Sequence, residues 1–487
     1  MFRDIEPLIT GANGFVGKVV LAMLLDRFPD VRRVHVLIRP RPGQSAAERL
    51  RSDVLDSPAL EPLVRKCGRD VVESRVHVLS GDAAEPLAGI AEREVRSMAG
   101  RVGVVINCAG LVDFFPPLDA SIRANVDSVL RVAELCKLVE ARLVHVSTCY
   151  VAGEDDGLVE ETEPVEGYYP RRAGTGDRAF GALAELEHCR RLAEPAARGL
   201  KGPERAESLA ELGRRRAARW GWVNTYTYTK ALGEQVLAAR AEVPHAIVRP
   251  AIVESALAYP FPGWIEGGRT AAPLALMALG GLLDWPARPE LSLEVVPVDY
   301  VAAAALTVAR KLLEGGARPV YHLATSDVNP YPLGDLIRLL HSQSRGNGGR
   351  AGGPPAWLVP FPRLRFLAPA EAERRRTRLR RRISRVRWLL RCAGRHAAAA
   401  RLRPLELQLG FHAETFRQYL PFIHDHQYVF ETVNIRQAYA GADQDWRAAL
   451  PWEPESINWP DYWLSCQIPG FRHWIQPKAV RQWSFRL

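Results

Sequence analysis

The stretch Thr10-Gly11-Ala12-Asn13-Gly14-Phe15-Val16-Gly17 follows a short apolar segment at 7–9 and opens a helix whose apolar residues recur to Leu25. Glycines three residues apart allow a tight turn, close approach of the backbone to a pyrophosphate, and close packing of the helix on a sheet. The stretch therefore predicts a strand–turn–helix unit that binds a dinucleotide. The cofactor residues predicted in it are Thr10, Gly11, Asn13, Gly14, Phe15, Val16 and Gly17.

The next predicted strand, 34–39, ends in a basic pair that indicates which dinucleotide is bound. Arg39 lies 22 residues beyond Gly17, and Arg41 follows closely. A site for NAD would place Asp or Glu here for the ribose 2′-hydroxyl, whereas two guanidinium groups suit a 2′-phosphate. We therefore predict NADPH as the cofactor. The alternative is that Arg39 is only a solvated residue at a strand end.

Strands and helices then continue to alternate along the chain. A third strand runs into Asp82, whose carboxylate is placed to reach the adenine amino group, and a fourth runs into a turn of small residues that includes Ala109. Asn125 lies early on the following helix, and a fifth strand ends at Ser147 and Thr148. Alternating units of this length predict an α/β fold of the Rossmann type, with a doubly wound parallel sheet.

Tyr226 and Lys230 form the second chemical signal. Residues four apart on a helix project from one face, so the ammonium group of Lys230 is expected beside the phenol of Tyr226. A fixed cation favours the ionised phenol, which predicts a lowered pKa for Tyr226 and a role in proton transfer. A tyrosine that caps the core beside a solvated lysine is the alternative.

Taken together, these residues resemble the extended short-chain dehydrogenase/reductase superfamily, with its glycine loop, its Ser/Thr after the fifth strand and its Y-x-x-x-K motif. Within it, the chain is similar to the fatty acyl-CoA reductases, especially the bacterial alcohol-forming type. The similarity covers residues 7–340 well and resumes at 421–475. The segments that carry the narrower resemblance are 145–153 (HVSTCYVAG), 225–231 (TYTYTKA), 249–255 (RPAIVES) and 260–265 (PFPGWI).

The resemblance implies a role for each matching residue. Tyr226 is the acid, and Lys230 is its electrostatic partner and the ribose anchor. Thr148 is chosen over Ser147 as donor to the substrate oxygen, because it stands five residues before Gly153. Asn125 matches a position that holds a water molecule, with a helix cap or a surface residue as the alternative. Pro250 ends a sixth strand, after which Val253 is expected to line the nicotinamide.

The implied reaction is NADPH-dependent reduction of a long-chain fatty acyl-CoA to a fatty alcohol through a bound aldehyde. An aldehyde-releasing thioester reductase, acting on acyl-CoA or on a carrier-protein thioester, is the first alternative. A catalytically silent NADP-binding protein and a sugar-nucleotide epimerase are further alternatives. Acyl chain length, saturation and oligomeric state stay open.

The domain prediction has three parts. Residues 1–345 form the NADP-binding domain with the substrate-binding elements, 346–405 a linker and basic segment, and 406–487 a mostly helical, reductase-like C-terminal domain. A helical cap is inserted at 154–222, with amphipathic helices at 180–197 and 204–220. We expect this cap either to cover the acyl chain and offer arginines 214–216 to coenzyme A phosphates, or only to pack on the domain.

Charge is concentrated in one segment of the chain. The whole chain has a net charge of +10, whereas residues 363–403 alone hold fifteen Arg, no Lys and two Glu. An amphipathic helix at 371–395 is expected there. A peripheral membrane contact, an acidic partner or coenzyme phosphates, and a solvated face remain three open interpretations. Nucleic acid is not expected, because no reading module accompanies the charge.

Composition supports a cytoplasmic enzyme, with peripheral contact to the inner membrane surface left open. The seven cysteines are scattered and no His cluster has metal-ligand spacing, so we expect reduced thiols and no metal. The chain enters a strand almost at once, which leaves no room for a signal peptide. The most apolar run, 271–283, is too short to span a bilayer.

Overall fold

The computed structural model describes residues 2–161, 165–171, 179–268, 270–346 and 363–477. Its centre is a seven-stranded parallel sheet in the order β11-β7-β5-β4-β1-β2-β3. Three two-stranded parallel pairs, β10 with β8, β12 with β9 and β13 with β6, complete the strands. The strands are β1 (Pro7–Thr10), β2 (Val34–Ile38), β3 (Val76–Ser80), β4 (Val104–Asn107), β5 (Arg142–Val146), β6 (Gly157–Val159), β7 (His245–Pro250), β8 (Ile252–Glu254), β9 (Asp284–Trp285), β10 (Val295–Pro297), β11 (Val320–Leu323), β12 (Arg365–Phe366) and β13 (Tyr428–Phe430).

Helices connect and flank these strands. They are α1 (Phe15–Arg27), α2 (Ala46–Arg49), α3 (Glu61–Cys67), α4 (Arg69–Arg75), α5 (Glu92–Met98), α6 (Leu118–Ile122), α7 (Ser128–Val139), α8 (Ala182–Ala197), α9 (Gly202–Trp220), α10 (Thr225–Arg240), α11 (Ala272–Leu279), α12 (Val298–Leu313), α13 (Leu333–Gly346), α14 (Pro369–Cys392), α15 (His396–Leu420), α16 (Val433–Ala440), α17 (Gln444–Ala449), α18 (Trp459–Tyr462) and α19 (Ile468–Gly470). Short 3-10 turns lie at Phe2–Asp4, Pro58–Leu60, Pro86–Gly89, Cys149–Ala152 and Pro454–Ser456, and π-helical turns at Leu50–Leu55, Arg123–Asp127, Pro421–Asp425, Trp463–Gln467 and Phe471–Ile475.

The two-residue period of the strands divides the core between the faces of the sheet. In β1, Leu8 packs with α5 and α7, whereas Ile9 packs with α1 and α12. Both residues are fully buried, and Ile9 lies opposite Val36 of β2 and Ile106 of β4. When helices cover both faces of a parallel sheet, its strands have continuous apolar runs in the sequence. The predicted doubly wound parallel sheet is therefore confirmed.

The insertion before α10 folds as two helices, and their observed bounds agree with the predicted ones to within two residues. Both helices pack on α10 and on α6. Phe180, Trp222 and Tyr228 form part of the apolar cluster that joins them. The insertion therefore forms a layer outside α10.

The C-terminal region packs into the main core. Strand β13 pairs with β6, placing Tyr428 opposite Gly157, and aromatic residues such as Phe416 and Phe430 belong to the same apolar cluster as the sheet. The predicted helix at 371–395 is observed as α14 and is followed by α15. Residues 347–362 of the predicted linker and basic segment lie outside the described residues. Among the helices that the structure describes, none is long and apolar enough to cross a membrane.

Candidate active site

Helix α10 begins where it can present Tyr226 and Lys230 to the sheet. The side chain of Asn224 caps its N-terminus by accepting a hydrogen bond of 2.8 Å from the backbone N–H of Thr227. This cap satisfies a helix N–H that would otherwise lack a partner. Tyr226 lies in the first turn of α10 and Lys230 lies one turn further along, on the same face.

Lys230 is held at the end of strand β5. Lys230 is 4 % exposed, and its Nζ donates a hydrogen bond of 2.7 Å to the carbonyl oxygen of Val146. Burial lowers the pKa of Lys230 to about 8, while the nearby Glu234 and Cys108 act to raise it. The Lys230 side chain is therefore mostly, but not fully, protonated at neutral pH.

The phenol of Tyr226 corrects one expectation from the sequence. Burial raises the pKa of Tyr226 to about 12, and a hydrogen-bonding interaction with the side chain of Thr148 offsets part of this rise. The predicted lowering of the Tyr226 pKa is wrong, because loss of solvation dominates the shift and the Glu234 carboxylate adds to the rise. Tyr226 therefore keeps its proton at neutral pH, as a proton donor must.

Thr148 lies beside Tyr226, immediately after β5. It is 4 % exposed, and its Oγ1 accepts a hydrogen bond of 3.3 Å from the backbone N–H of Tyr150. Ser147, the residue not chosen from the sequence, has a buried hydroxyl without a hydrogen-bond partner in the described structure. Both hydroxyl groups therefore lie at the same strand end as the Lys230 ammonium group.

Asn125 is fully buried in the π-helical turn that precedes α7. Its side chain accepts a hydrogen bond from the backbone N–H of Leu111 and donates to the carbonyl oxygen of the same residue and to Oγ1 of Thr229. A Cβ atom on Gly110 would lie 3.2 Å from Oδ1 of Asn125 and 3.4 Å from Nζ of Lys230. The surface alternative for Asn125 is therefore wrong, and the residue lies next to Lys230.

The glycine loop forms a cradle that side chains would fill. Gly11 has a φ of +69°, and a Cβ atom there would lie 2.6 Å from the backbone nitrogen of Ala109. A Cβ atom on Gly17 would lie 2.3 Å from the carbonyl oxygen of Gly11, so this residue must be glycine for α1 to pack on the loop. Gly14 is the N-cap of α1 and has no side chain to satisfy the first N–H groups. The loop therefore fits a pyrophosphate bound by backbone N–H groups at a helix N-terminus.

The side chains of the loop residues are placed differently from one another. Thr10 is fully buried, and its hydroxyl group donates a hydrogen bond of 2.5 Å to Oδ1 of Asn107 and accepts one from the N–H of Ala109. Thr10 therefore fixes the loop to the turn after β4. Asn13, Phe15 and Val16 are half-buried, and the Phe15 ring lies 5.1 Å from that of Trp264.

The basic pair lies at the carboxyl end of β2. Arg39 is exposed, and its Nη1 lies 3.5 Å from Oδ2 of Asp82, which follows β3. Asp82 also accepts hydrogen bonds from Arg123. Burial would raise the pKa of Asp82, but the N–H of Ala84 and the Arg123 guanidinium lower it on balance. Arg41 is exposed nearby in a turn closed by its backbone pairing with Gln44.

Pro250 and Val253, the two residues expected near the nicotinamide, lie on β7 and β8. Pro250 is buried at the end of β7, and Val253 is half-buried in β8, opposite Val296 of β10. The structure therefore brings the residues predicted for the cofactor to the carboxyl edge of the parallel strands, where ligands bind in this architecture.

The structure also adds an ion pair that sequence reasoning missed. Glu234 lies one turn after Lys230 on α10 and is 1 % exposed, and its Oε2 lies 2.6 Å from Nη2 of Arg249. The four-residue spacing from Lys230 to Glu234 was the available signal. Glu234 is therefore a buried carboxylate one helical turn from Lys230.

Two other features differ from what the sequence indicated. Arg216 of the insertion is buried against Glu185 and is not available to a coenzyme phosphate. Aromatic residues from the C-terminal region reach the site, because the Phe114 carbonyl oxygen accepts from the backbone N–H of Tyr226 and the Phe114 ring lies 5.7 Å from that of Tyr419.

No group of His, Cys, Asp and Glu within the described ranges could hold a metal ion.

Comparison with known proteins identifies the family of this chain. Residues 9–305 match an NAD-binding family described as "Male sterility protein". A protein of Arabidopsis thaliana named "Probable fatty acyl-CoA reductase 5" is 33% identical over 345 residues, which is 69% of each chain. The "Alcohol-forming fatty acyl-CoA reductase" of Simmondsia chinensis is 27% identical over 500 residues, covering 95% of both chains.

A solved structure supports the fold over nearly the whole chain. The terminal R domain from the myxalamid PKS-NRPS biosynthetic pathway superposes with a TM-score of 0.60 and 18% identity, covering 96% of this chain and 90% of that one. With its dinucleotide cradle and its Tyr226 and Lys230 set, the chain belongs to the fatty acyl-CoA reductase family of NAD(P)-binding oxidoreductases.

Proposed function

We propose that this chain reduces long-chain fatty acyl-CoA to the fatty alcohol through a bound aldehyde, with NADPH as the reductant. The observation that carries the proposal is the position of Thr148, Tyr226 and buried Lys230 together at one strand end, in a member of the fatty acyl-CoA reductase family. The full-length similarity to a protein named as alcohol-forming favours the four-electron outcome.

The choice of NADPH rests on charge at the edge of the cradle. Arg39 is exposed at the end of β2, and the exposed Arg41 follows it. No carboxylate stands at the end of β2, where NAD would need one, and guanidinium groups bind phosphates well. Asp82 is already engaged by Arg39 and Arg123, so its contact with adenine requires sharing of that carboxylate.

The residues of the chain divide the work of each reduction. NADPH, when bound, supplies the hydride. Thr148 and Tyr226 donate hydrogen bonds to the substrate oxygen as it becomes an alkoxide, which stabilises the developing charge. Tyr226 then gives its proton to that oxygen, because an alkoxide is a stronger base than a phenolate. Lys230 supplies positive charge beside the phenolate that remains, and buried Asn125 holds the turn next to Lys230.

The substrate chemistry requires two passes through this site. Reduction of the thioester gives a hemithioacetal, whose collapse releases coenzyme A as the thiol and leaves an aldehyde. The aldehyde has the same carbonyl geometry, so the same hydroxyl groups can stabilise its reduction to the alcohol. The released thiol and the consumed NADPH therefore count the two steps separately.

The test is a stoichiometry measured in one tube with palmitoyl-CoA, NADPH and the full-length protein. Oxidation of NADPH at 340 nm, free thiol and extracted products are quantified together. Two NADPH per thiol with hexadecanol as product is the expected result. One NADPH per thiol with accumulating hexadecanal would establish the aldehyde-releasing alternative, and absence of thiol release with acyl-CoA substrates would contradict both.

We further propose a cytoplasmic enzyme in peripheral contact with the inner membrane surface through residues 371–395. The proposed organisation keeps a cofactor and substrate region at 1–345, a linker and basic segment at 346–405 and a C-terminal region at 406–487. The continuous apolar core shared by the sheet and the aromatic residues after 416 supports a C-terminal region that completes the site rather than a separate module.

A further inference from the structure

A helical hairpin formed by α14 and α15 carries much of the exposed apolar and basic surface of the molecule. Its outer part, residues 377–411, is called the basic arm here. In α14 the only buried residue is Ala372, and in α15 the arm contains one, Ala399. The remaining buried residues of α15 are His412, Thr415, Phe416 and Tyr419, which lie at the base of the hairpin. The arm therefore projects from the body of the protein.

The charge of the arm is almost uncompensated. It holds ten Arg and a single carboxylate, that of Glu406, which is paired with Arg387 across the hairpin. The other nine arginines are exposed, and none has an ion-pair partner among the described residues. They are Arg378, Arg380, Arg381, Arg382, Arg385, Arg391, Arg395, Arg401 and Arg403.

The same arm concentrates exposed apolar side chains. Of the eleven large hydrophobic residues that are exposed in the described structure, six lie on it. Trp388 is 64% exposed and Leu389 is 58% exposed, close to the turn of the hairpin. The six are Leu379, Val386, Trp388, Leu389, Leu405 and Leu407. An apolar patch rimmed by charge is the feature by which soluble proteins mark an interaction surface.

Position along α14 brings the two kinds of side chain together. Residues three and seven apart share a helix face, so Trp388 lies on the same face as Arg381, Arg385 and Arg391. Arginine binds lipid phosphates, while tryptophan prefers the boundary between headgroups and acyl chains. We infer that the basic arm docks the enzyme on a bilayer that contains anionic lipid, with Trp388 and Leu389 inserted and the arginines on headgroup phosphates.

Charge also argues against the other occupants of this surface. A second copy would bring nine more unpaired arginines to the interface, while the rest of the chain, at about +1 once the arm is excluded from the total of +10, offers no acidic surplus. A nucleic acid would satisfy the arginines but would leave the aliphatic side chains of Leu379, Val386 and Leu389 without an apolar partner. A bilayer satisfies both kinds of group.

This docking rests on the proposed function and adds to it, because a long-chain acyl substrate and a fatty alcohol product both partition into bilayers. The base of the arm lies near the candidate site, because the ring of Tyr419 lies 5.7 Å from that of Phe114, whose carbonyl oxygen accepts a hydrogen bond from the N–H of Tyr226. The hydroxyl group of Tyr419 donates a hydrogen bond of 2.5 Å to the carbonyl oxygen of Thr270, immediately before the apolar helix α11. The lipid surface would therefore be held near the apolar part of the site.

The test is co-sedimentation of the full-length protein with vesicles of phosphatidylcholine alone or with 30 per cent phosphatidylglycerol. We expect binding to the anionic vesicles only, weakened by 0.5 M NaCl, and a blue shift of tryptophan fluorescence. The double variant Trp388→Glu/Leu389→Glu should lower binding at least tenfold. Leu138→Glu/Leu158→Glu, which changes two exposed leucines away from the arm, should bind like the unaltered protein.

Activity on soluble octanoyl-CoA without vesicles separates this inference from the proposed function, and the Trp388/Leu389 variant should retain it. Equal binding of that variant and the unaltered protein would overturn the inference. So would absence of binding to anionic vesicles, a change of oligomeric state caused by the variant, or binding of a 20-nucleotide strand as tight as that of the anionic vesicles.

Discussion

At the scale of single residues, the site depends on where protons are held before substrate arrives. Tyr226, with a pKa raised to about 12, is protonated at neutral pH. Lys230, with a pKa lowered to about 8, is protonated in most but not all molecules at that pH. Burial on one face of α10 therefore produces both a proton donor, Tyr226, and a nearby cation that titrates close to neutral pH, Lys230. Sequence spacing predicted the pair, but it could not predict the direction of the Tyr226 shift, because burial depends on the whole fold.

Glu234 should control the alkaline limit of activity. Burial lowers the pKa of Lys230 and the Glu234 carboxylate opposes this, so Glu234→Gln should lower the pKa further. Because the charged form is the one that acts, activity falls as pH rises through this pKa. The alkaline limb of the kcat/KM profile should therefore move to lower pH in the variant.

The profile of Glu242→Gln, which changes an exposed carboxylate on the loop after α10, serves as the control and should match the unaltered enzyme. Since Glu234→Gln also removes the partner of buried Arg249, thermal unfolding is measured in parallel so that activity is compared only where both proteins are folded. An alkaline limb that stays in place or moves to higher pH would refute the role of Glu234.

Arg39 and Arg41 should determine cofactor preference. The double variant Arg39→Ala/Arg41→Ala removes the two exposed guanidinium groups at the edge of the cradle. The KM for NADPH should rise at least tenfold, because each charge-assisted contact with a phosphate contributes about 1.5–3 kcal/mol, and the KM for NADH should change little. Arg32→Ala, at an exposed position before β2, is the matched control. Equal loss with both cofactors would show that the pair does not read the 2′-phosphate.

At the scale of elements, the strand–turn–helix unit around Gly11 to Gly17 could be predicted almost completely, because it rests on local rules. Its spacing fixes the turn, the helix start and the packing of α1 on the loop. The insertion helices α8 and α9 were also predictable from their apolar period, whereas their contacts with α10 and α6 were not. Arg216 shows the difference, since only the fold reveals that Glu185 buries it.

Gly17 gives the sharpest test of the cradle. A Cβ atom there would lie 2.3 Å from the carbonyl oxygen of Gly11, so Gly17→Ala must push α1 away from the loop. The dissociation constant of NADPH, measured by quenching of protein fluorescence, should rise at least tenfold. Gly316→Ala is the control, because a Cβ atom there meets no atom within 4 Å. Unchanged affinity in Gly17→Ala would show that the dinucleotide does not depend on this loop.

At the scale of the whole molecule, the active site is assembled from regions far apart in the chain. The C-terminal region brings Tyr419 against Phe114, whose carbonyl oxygen accepts from the N–H of Tyr226, and strand β13 pairs with β6 across about 270 residues of sequence. Contacts of such separation leave no local pattern. The sheet and the Tyr226 and Lys230 pair were predictable because they rest on local patterns, whereas the Tyr419 and Phe114 contact, the Glu234 and Arg249 pair and the projecting arm were not.

We propose that a single site performs both reductions, and the Tyr226→Phe variant is the test of this. Rates are measured with palmitoyl-CoA, followed as thiol release, and with hexadecanal, followed as NADPH oxidation, while Tyr331→Phe controls for loss of a phenol outside the site. Both rates should fall together by about 10²–10⁴-fold, the usual contribution of a positioned acid. Loss of thioester reduction with aldehyde reduction unchanged would contradict it, because the second hydride transfer would then use a different site.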